Sequence, residues 1–251
     1  MRYPRYHSAL MQQLSRGDAG VGQSLSDAIL ALSPAGYWKL DETSGTTAAD
    51  SSGNARDMTY GGTATLANQA GEDGASYATV AGAGSLASVG SNAAWAVNAA
   101  SGLSVVALIR PSGNTLGGLI HKVACWEFVR TNNTALRASS LDGNAQIRSN
   151  SPSVNTTAGA WHLVMASFGP ALSDAPSAIV VNGTDVSATP TGSGSGVGSF
   201  SSSLYLGAAY ISATWRYFAG AMAHVAVIPG TLTAAGWADV IAAAQGEGWI
   251  A

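Results

Sequence analysis

From residue 37 onward, the chain consists of short apolar segments separated by residues that form turns. Two of these segments, GLSVVALIRP at 102–111 and KVACWEFVRT at 122–131, are rich in β-branched and aromatic residues and are bounded by Gly, Pro or Asn. Such segments are typical of buried β-strands. Asp142-Gly143 and Asn182-Gly183 each lie next to strand-like residues and predict β-hairpins. Ten or so short strands with one terminal helix predict two packed antiparallel sheets.

The last third of the chain adds a loop, a strand and a helix to this pattern. Residues 191–199, TGSGSGVGS, are too rich in glycine for a strand and predict a mobile loop. Thr233 is expected to cap a final helix that Gly246 ends. In the strand MAHVAVI, strict alternation places four residues on one face, namely Met222, His224, Ala226 and Ile228.

Residues 1–33 differ from the rest and are interpreted as an N-terminal attachment arm, with residues 34–251 as the main domain. HSALMQQLS and LSDAILALS each have the apolar spacing of a short helix, and Ser24 or Ser26 can cap the second one. The arm carries Arg2, Tyr3, Arg5 and Tyr6, which we expect to contact a partner. A floppy terminus, or a helix packed on its own domain, is an equal alternative.

Composition and charge narrow the classes of function. The 251 residues favour one large domain, and only 10% are charged, so Ser, Thr, Asn and Gly must cover much of the surface. Residues 1–17 carry +3, and the remaining 8 basic and 14 acidic residues give −6. An acidic body argues against nucleic acid as a partner. No apolar run is long enough to span a bilayer, and the N-terminus lacks the apolar stretch of a secretory signal.

The single cysteine, Cys125, excludes an intramolecular disulfide and a zinc site built on several cysteines. Its place between Val123 and Trp126 favours a buried, small apolar side chain.

The order of several motifs resembles the laminin-G-like jelly rolls of the concanavalin A-like lectin/glucanase superfamily. The motifs are YWKLDETSGTTAADSSGN, GAWHLVMASF, IVVNGTDV, LYLGA and YFAGAMAHVAVIPGTLTAAGWADVI. The resemblance covers residues 34–251 and implies an all-β fold: a two-sheet antiparallel jelly-roll sandwich with a partly helical N-terminal arm and a short C-terminal helix. The phrase AILALSPAGYWKLDE is similar to the starts of laminin-G-like proteins in tailed-bacteriophage particles.

This resemblance implies two functions. The first is a non-enzymatic virion protein, in the capsid decoration or the tail, which contacts other virion proteins through its arm. The alternative is an extracellular lectin or adhesin that binds host-surface glycans. The sequence leaves open whether the chain forms a homo-oligomer.

Enzyme activity is not expected. A glycosidase needs two carboxylates about 5–9.5 Å apart, and glycosidases of this fold carry them as Glu-x-Asp-x-x-Glu on one strand. The four glutamates here lie in different segments. Glu127, between Trp126 and Phe128, is interpreted as a residue of a sheet edge or solvent face. GSGSG at 192–196 matches the letters of a serine-hydrolase motif, but it lies in a low-complexity loop.

Two candidate sites remain. Asp41, Asp50, Ser52 and Asn54 provide oxygen ligands that could bind calcium, but Asp-Ser-Ser-Gly-Asn is also an ordinary turn, which we favour. Tyr210, Trp215 and Arg216, in a connection between strands, offer aromatic faces beside a polar group, as a sugar site requires. Most tryptophans should instead be buried, Trp38 and Trp161 above all.

Overall fold

The structure is a computed structural model. It describes residues 22–80, 84–95, 102–132, 135–142, 145–152, 154, 156–169, 176–189, 191, 202–233 and 235–251. The first predicted helix, at 7–15, and nearly all of the predicted glycine-rich loop lie outside these residues.

The described residues form two sheets. Sheet 1 has the strand order β14-β13-β12-β7-β18-β5-β4, with β1 also paired to β18, and sheet 2 has the order β11-β10-β9-β8-β15-β6-β3-β2, with β16 and β17 attached at β8. Their bounds are β1 Gly36–Trp38, β2 Thr47–Ala48, β3 Met58–Tyr60, β4 Ala64–Ala70, β5 Ser76–Val80, β6 Ala87–Val89, β7 Leu103–Pro111, β8 Gly117–Lys122, β9 Trp126–Asn132, β10 Ala135–Asp142, β11 Ala145–Pro152, β12 His162–Phe168, β13 Pro176–Val181, β14 Thr184–Asp185, β15 Leu204–Leu206, β16 Ala208–Ile211, β17 Thr214–Tyr217 and β18 Gly220–Pro229.

The sheets pack face to face around one hydrophobic cluster. It includes Trp38, Trp95, Trp126 and Phe168, and the Cys125 side chain is also buried in it. Among the described strands, all pairings are antiparallel except a single parallel contact between Tyr217 and Gly118. The predicted all-β sandwich of the concanavalin A-like type is therefore confirmed.

A second hydrophobic cluster covers the outer face of sheet 1. Two helices lie there, α1 (Leu25–Ala31) and α2 (Ala238–Gly246), the latter preceded by a short 3-10 turn. Leu25, Ala28 and Ile29 are buried in this cluster. The backbone N–H of Leu25 also donates to the Glu247 carboxylate at 2.9 Å. Residues 25–31 thus pack on their own domain, which is one of the alternatives that the sequence left open.

The N-cap of α1 follows the sequence signal, whereas α2 begins at Ala238, after Trp237, without a side-chain cap. Ser24 Oγ accepts from the backbone N–H of Asp27 at 3.1 Å, which identifies Ser24 rather than Ser26 as the N-cap of α1. Thr233 Oγ1 accepts from the N–H of Gly236 at 3.3 Å and so caps the 3-10 turn that leads into α2. Neither helix is long and apolar enough to cross a membrane.

The two predicted hairpins are present. Asp142 pairs with Ala145, and Val181 pairs with Thr184. Asn182 and Gly183 both have positive φ, 49° and 81°, as a type I′ turn requires.

The alternation predicted for β18 is interrupted at His224. His224 has a φ of 50°, and the register between β18 and β7 shifts between Ala223 and Ala226. This bulge turns Met222 into the cluster between the sheets, whereas Ala226 and Ile228 face outward. Met222 therefore does not share a face with His224.

Candidate functional site

Strands β16 and β17 form a hairpin on sheet 2. Ile211 pairs with Thr214 and Tyr210 pairs with Trp215, so the loop consists of Ser212 and Ala213 alone. Both loop residues have positive φ, 49° and 61°. Non-glycine residues adopt this conformation at a cost of about 1 kcal/mol or more each, so the surrounding contacts must hold the turn.

Four aromatic rings meet on this hairpin and on the adjacent strand β15. The Trp215 ring lies 5.0 Å from that of Tyr205, 5.4 Å from that of Tyr210 and 6.4 Å from that of Tyr217, measured between centroids. Trp215 and Tyr217 are nearly parallel, at 12°. We call these four residues the aromatic patch.

The patch is set apart by its exposure. The chain has seven tryptophans, and all except Trp215 are buried, as predicted for Trp38 and Trp161. Trp215 is partly exposed. Tyr210 is 44% exposed, and the other exposed large apolar side chain among the described residues is Leu30, at 37%. A shallow cavity of about 110 Å³ lies against Tyr205, Trp215 and Tyr217.

His121 supports the hairpin from beneath. Its Nδ1 accepts a hydrogen bond from the backbone N–H of Tyr210 at 3.0 Å, and its ring lies 6.4 Å from that of Trp215. Because Nδ1 is the acceptor, the ring proton resides on Nε2, which is buried and has no hydrogen-bond partner among the described residues. Burial lowers the pKa of His121 to about 4. The hairpin therefore rests on a neutral imidazole.

Arg216 is not part of the patch. Side chains alternate along a strand, so Arg216 lies on the opposite face of β17 from Trp215 and Tyr217. It is exposed. The structure thus brings Tyr210 and Trp215 together, as the sequence suggested, and places Arg216 elsewhere. Tyr205 and Tyr217 were not predicted, although the spacing Trp-x-Tyr within TWRY, residues 214–217, signals a shared face.

The candidate calcium loop is dominated by one carboxylate. Asp50 Oδ1 accepts from the backbone N–H groups of Tyr37 at 3.0 Å and Ser52 at 2.9 Å, and its Oδ2 accepts from that of Arg56 at 2.9 Å. Burial alone would raise the pKa of Asp50, but the hydrogen bonds from Ser52, Tyr37 and Arg56 outweigh it and lower the pKa. The carboxylate thus fixes three backbone segments.

Asn54, another of the predicted ligands, uses its side-chain nitrogen as a donor within the turn. Asn54 Nδ2 donates to the carbonyl oxygens of Pro34 at 3.1 Å and Ala35 at 3.3 Å, and to Ser52 Oγ at 3.0 Å. Within the part of the chain that the structure describes, no three His, Cys, Asp or Glu side chains are grouped to hold a metal. This arrangement has the hydrogen bonding of a structural turn. Calcium binding at Asp41, Asp50, Ser52 and Asn54 stays a prediction.

Glu127 lies within a sheet and not at its edge. Strand β9 pairs with β8 on one side and β10 on the other, and Glu127 is 1% exposed. Its carboxylate forms an ion pair with Arg137 at 2.7 Å. The interpretation of Glu127 as an edge or solvent-facing residue is therefore wrong. The predicted attachment residues Arg2, Tyr3, Arg5 and Tyr6 lie outside the described residues.

The family model for laminin-G-like domains of the concanavalin A-like lectin/glucanases superfamily matches residues 71–236, which is more than half of the chain. The protein belongs to this family. No curated protein matches it.

Solved structures with the same fold are distant in sequence. Domain 4 of AbnA, an extracellular GH43 arabinanase from Geobacillus stearothermophilus, solved in complex with arabinotriose, is 16% identical with a TM-score of 0.56; the match covers 83% of this chain and 98% of that domain. The binding domain of paraclostridial mosquitocidal protein 1 is 12% identical, with a TM-score of 0.59 and coverages of 81% and 51%. Botulinum neurotoxin type C, whose cell entry depends on two ganglioside molecules, is 11% identical, with a TM-score of 0.57 and coverages of 85% and 52%. The chain thus spans about half of these two toxin chains.

Proposed function

We propose that the protein is a non-enzymatic carbohydrate-binding module that works outside the cell and binds glycans at the aromatic patch. The observation that carries this proposal is the exposure of Trp215, since the other six tryptophans are buried. An indole face beside tyrosine hydroxyls gives a sugar ring an apolar surface for its C–H groups and hydrogen-bond partners for its hydroxyls.

The geometry of the patch supports this role. The rings of Trp215 and Tyr217 are nearly parallel, at 12°, with centroids 6.4 Å apart, so they form an ordered stack on one face of β17. Tyr205 packs edge-on against Trp215 at 66°, which holds the indole in place. A preorganised platform loses little side-chain entropy on binding. The arabinanase domain solved with arabinotriose and the neurotoxin that interacts with gangliosides have the same fold as this chain. Their ligands are consistent with glycan binding here.

The test is a glycan array followed by calorimetric titration of the best ligand against three variants. Trp215→Ala should weaken binding about tenfold or more, because it removes the central ring, and Trp215→Phe should retain part of the affinity. Thr214→Ala, at the exposed neighbouring position, is the matched control and should bind as the original protein does. Equal affinity in Trp215→Ala would overturn the proposal.

The placement of this module on a tailed-phage virion is a separate proposal that rests on the resemblance of AILALSPAGYWKLDE to phage proteins. It predicts that antibodies to the domain label intact particles and that removal of Arg2, Tyr3, Arg5 and Tyr6 prevents incorporation. Particles that incorporate the shortened chain normally would exclude the arm as the attachment device.

A further inference from the structure

A second and larger cavity lies on sheet 1, the sheet opposite the hairpin. It is an open cleft of about 500 Å³ at one end of the outer face of sheet 1. Its centre is a row across β7, β18 and β5, in which Ala221 pairs with Arg110 on one side and with Thr79 on the other. The cleft shares no lining residue with the cavity at the aromatic patch.

Arg110 is fixed in this cleft. Its Nε donates to the carbonyl oxygen of Gly159 at 2.9 Å. Its Nη1 donates to the side-chain oxygen of Gln69 when that amide is oriented to match its donors and acceptors. A guanidinium carries five N–H donors in a planar fork, so within the described part of the chain three donors remain beyond these two contacts.

The charge of Arg110 is not compensated locally. Across the described ranges, no carboxylate lies within ion-pair distance of it, and no acid lines the cleft. The chain as a whole has a formal net charge of −3. The positive charge of Arg110 in the cleft is therefore opposite in sign to the charge of the whole chain. Such a group attracts anions.

The rim of the cleft carries polar side chains, and its floor consists of residues with small side chains or none. Asn68 Nδ2 donates to Thr79 Oγ1 at 3.0 Å, which leaves the Asn68 carbonyl oxygen as an acceptor for a ligand. Ser112 is exposed at the rim, and Gly220 and Ala221 leave room above the strands. None of the described lining residues is aromatic, so this site selects by hydrogen bonds and charge rather than by stacking.

We propose that the Arg110 cleft binds an acidic sugar, with the carboxylate of a hexuronate residue paired to the Arg110 fork and its hydroxyls bonded to Asn68, Thr79 and Ser112. A single arginine matches a singly charged carboxylate, which it can bind through two parallel hydrogen bonds. Phosphate carries more charge and commonly recruits several cations. The volume suits a sugar-sized ligand rather than an inorganic ion.

The experiment titrates the full chain with a hexuronate trisaccharide and with a neutral hexose trisaccharide. The hexuronate should bind more tightly, and high salt should weaken it. Arg110→Gln should reduce the affinity about ten- to hundredfold, since it removes a charge-assisted hydrogen-bond pair. The affinity of Arg110→Lys should lie between that of the original protein and that of Arg110→Gln. Lys39→Gln, which removes a positive charge outside both cavities, is the matched control.

A second pair of variants leaves Arg110 in place. Ser112→Asp adds a repelling carboxylate at the exposed rim and should abolish hexuronate binding, whereas the near-isosteric Ser112→Asn should retain it. This pair decides the outcome if Arg110→Gln does not fold. Trp215→Ala should leave hexuronate binding unchanged, which separates this site from the aromatic patch.

Three results would overturn the inference. The first is equal affinity for the neutral and acidic trisaccharides. The second is hexuronate binding that persists in Ser112→Asp but disappears in Trp215→Ala, because the acidic sugar would then bind at the aromatic patch. The third is competition by acetate or sulfate at the same concentration as the trisaccharide, since the cleft would then recognise any small anion.

Discussion

The outer faces of the two sheets use aromatic residues in opposite ways. On sheet 1, Trp161, Trp237 and Trp249 are buried beside the helices α1 and α2. On sheet 2, a two-residue hairpin presents Trp215 partly to solvent. The residue type is the same, so the element that covers each face decides whether a tryptophan contributes to folding or is available for binding.

Two buried histidines, one on each face, extend this contrast. His224 on sheet 1 is bonded at both ring nitrogens, to Tyr37 Oη at 2.6 Å and to Tyr77 Oη at 2.9 Å, and Ser26 of α1 bonds to Tyr37 at 2.9 Å. Tyr77 Oη donates to the Asp73 carboxylate at 2.5 Å, so it accepts from His224 Nε2, and Nδ1 accepts from Tyr37. Among the described residues, the hydrogen-bond partner of His121 on sheet 2 is the Tyr210 N–H, and this contact requires an unprotonated Nδ1. His224 thus has a partner at each ring nitrogen, whereas the described contacts provide His121 with one.

The first prediction tests how α1 packs on the outer face of sheet 1. Ile29→Ala should destabilise the domain by about 2–5 kcal/mol, because it leaves a cavity under α1 in the second cluster. Leu30→Ala is the matched control on the same helix; Leu30 is 37% exposed, so its truncation should cost no more than about 0.5 kcal/mol. Urea unfolding measures both values. Equal losses would mean that α1 does not anchor to sheet 1.

The second prediction concerns how pH changes stability and glycan binding through His121, which lies beneath the aromatic patch. The folded-state pKa of His121 is lowered to about 4, so the unfolded chain binds the proton more tightly. This contribution to stability is present above the unfolded pKa of about 6.5 and is lost as the pH falls toward 4, by roughly 2–3 kcal/mol. Protonation of the folded protein, at about pH 4 and below, also sets Nδ1–H against the Tyr210 N–H, so glycan binding should weaken there.

Urea unfolding at pH 7 and near pH 4.5, and glycan titration at pH 7 and near pH 4, test this prediction. His121→Gln should flatten the pH dependence, since its side-chain oxygen can accept from Tyr210 without titrating. Burial also lowers the pKa of His162, so this residue contributes to the pH dependence of stability as well. The variant His162→Gln measures that contribution separately. A pH dependence that is unchanged in His121→Gln would contradict the assignment.

The sequence predicts the sandwich far better than the sites. Alternation and Asn-Gly signals are local properties, and they correctly indicate the strand at 103–111 and the turn at Asn182. Two features lack a local signal: the bulge at His224 and the Ser212-Ala213 turn, both of which need positive φ at non-glycine residues. The Arg110 cleft brings together residues from several distant segments, so no single motif could have indicated it.

The last prediction tests the corner that joins the two faces. Asp50 lies between β1 of sheet 1 and the first strands of sheet 2, and its two oxygens accept three backbone N–H groups. Asp50→Ala should cost about 1–2 kcal/mol, because water can replace part of these hydrogen bonds at a half-exposed site. Asp50→Asn keeps one acceptor oxygen and should cost less. The melting temperature of the original protein should not respond to EDTA if the carboxylate serves the backbone alone. A lower melting temperature in EDTA that is restored by calcium and absent in Asp50→Ala would instead establish the metal site.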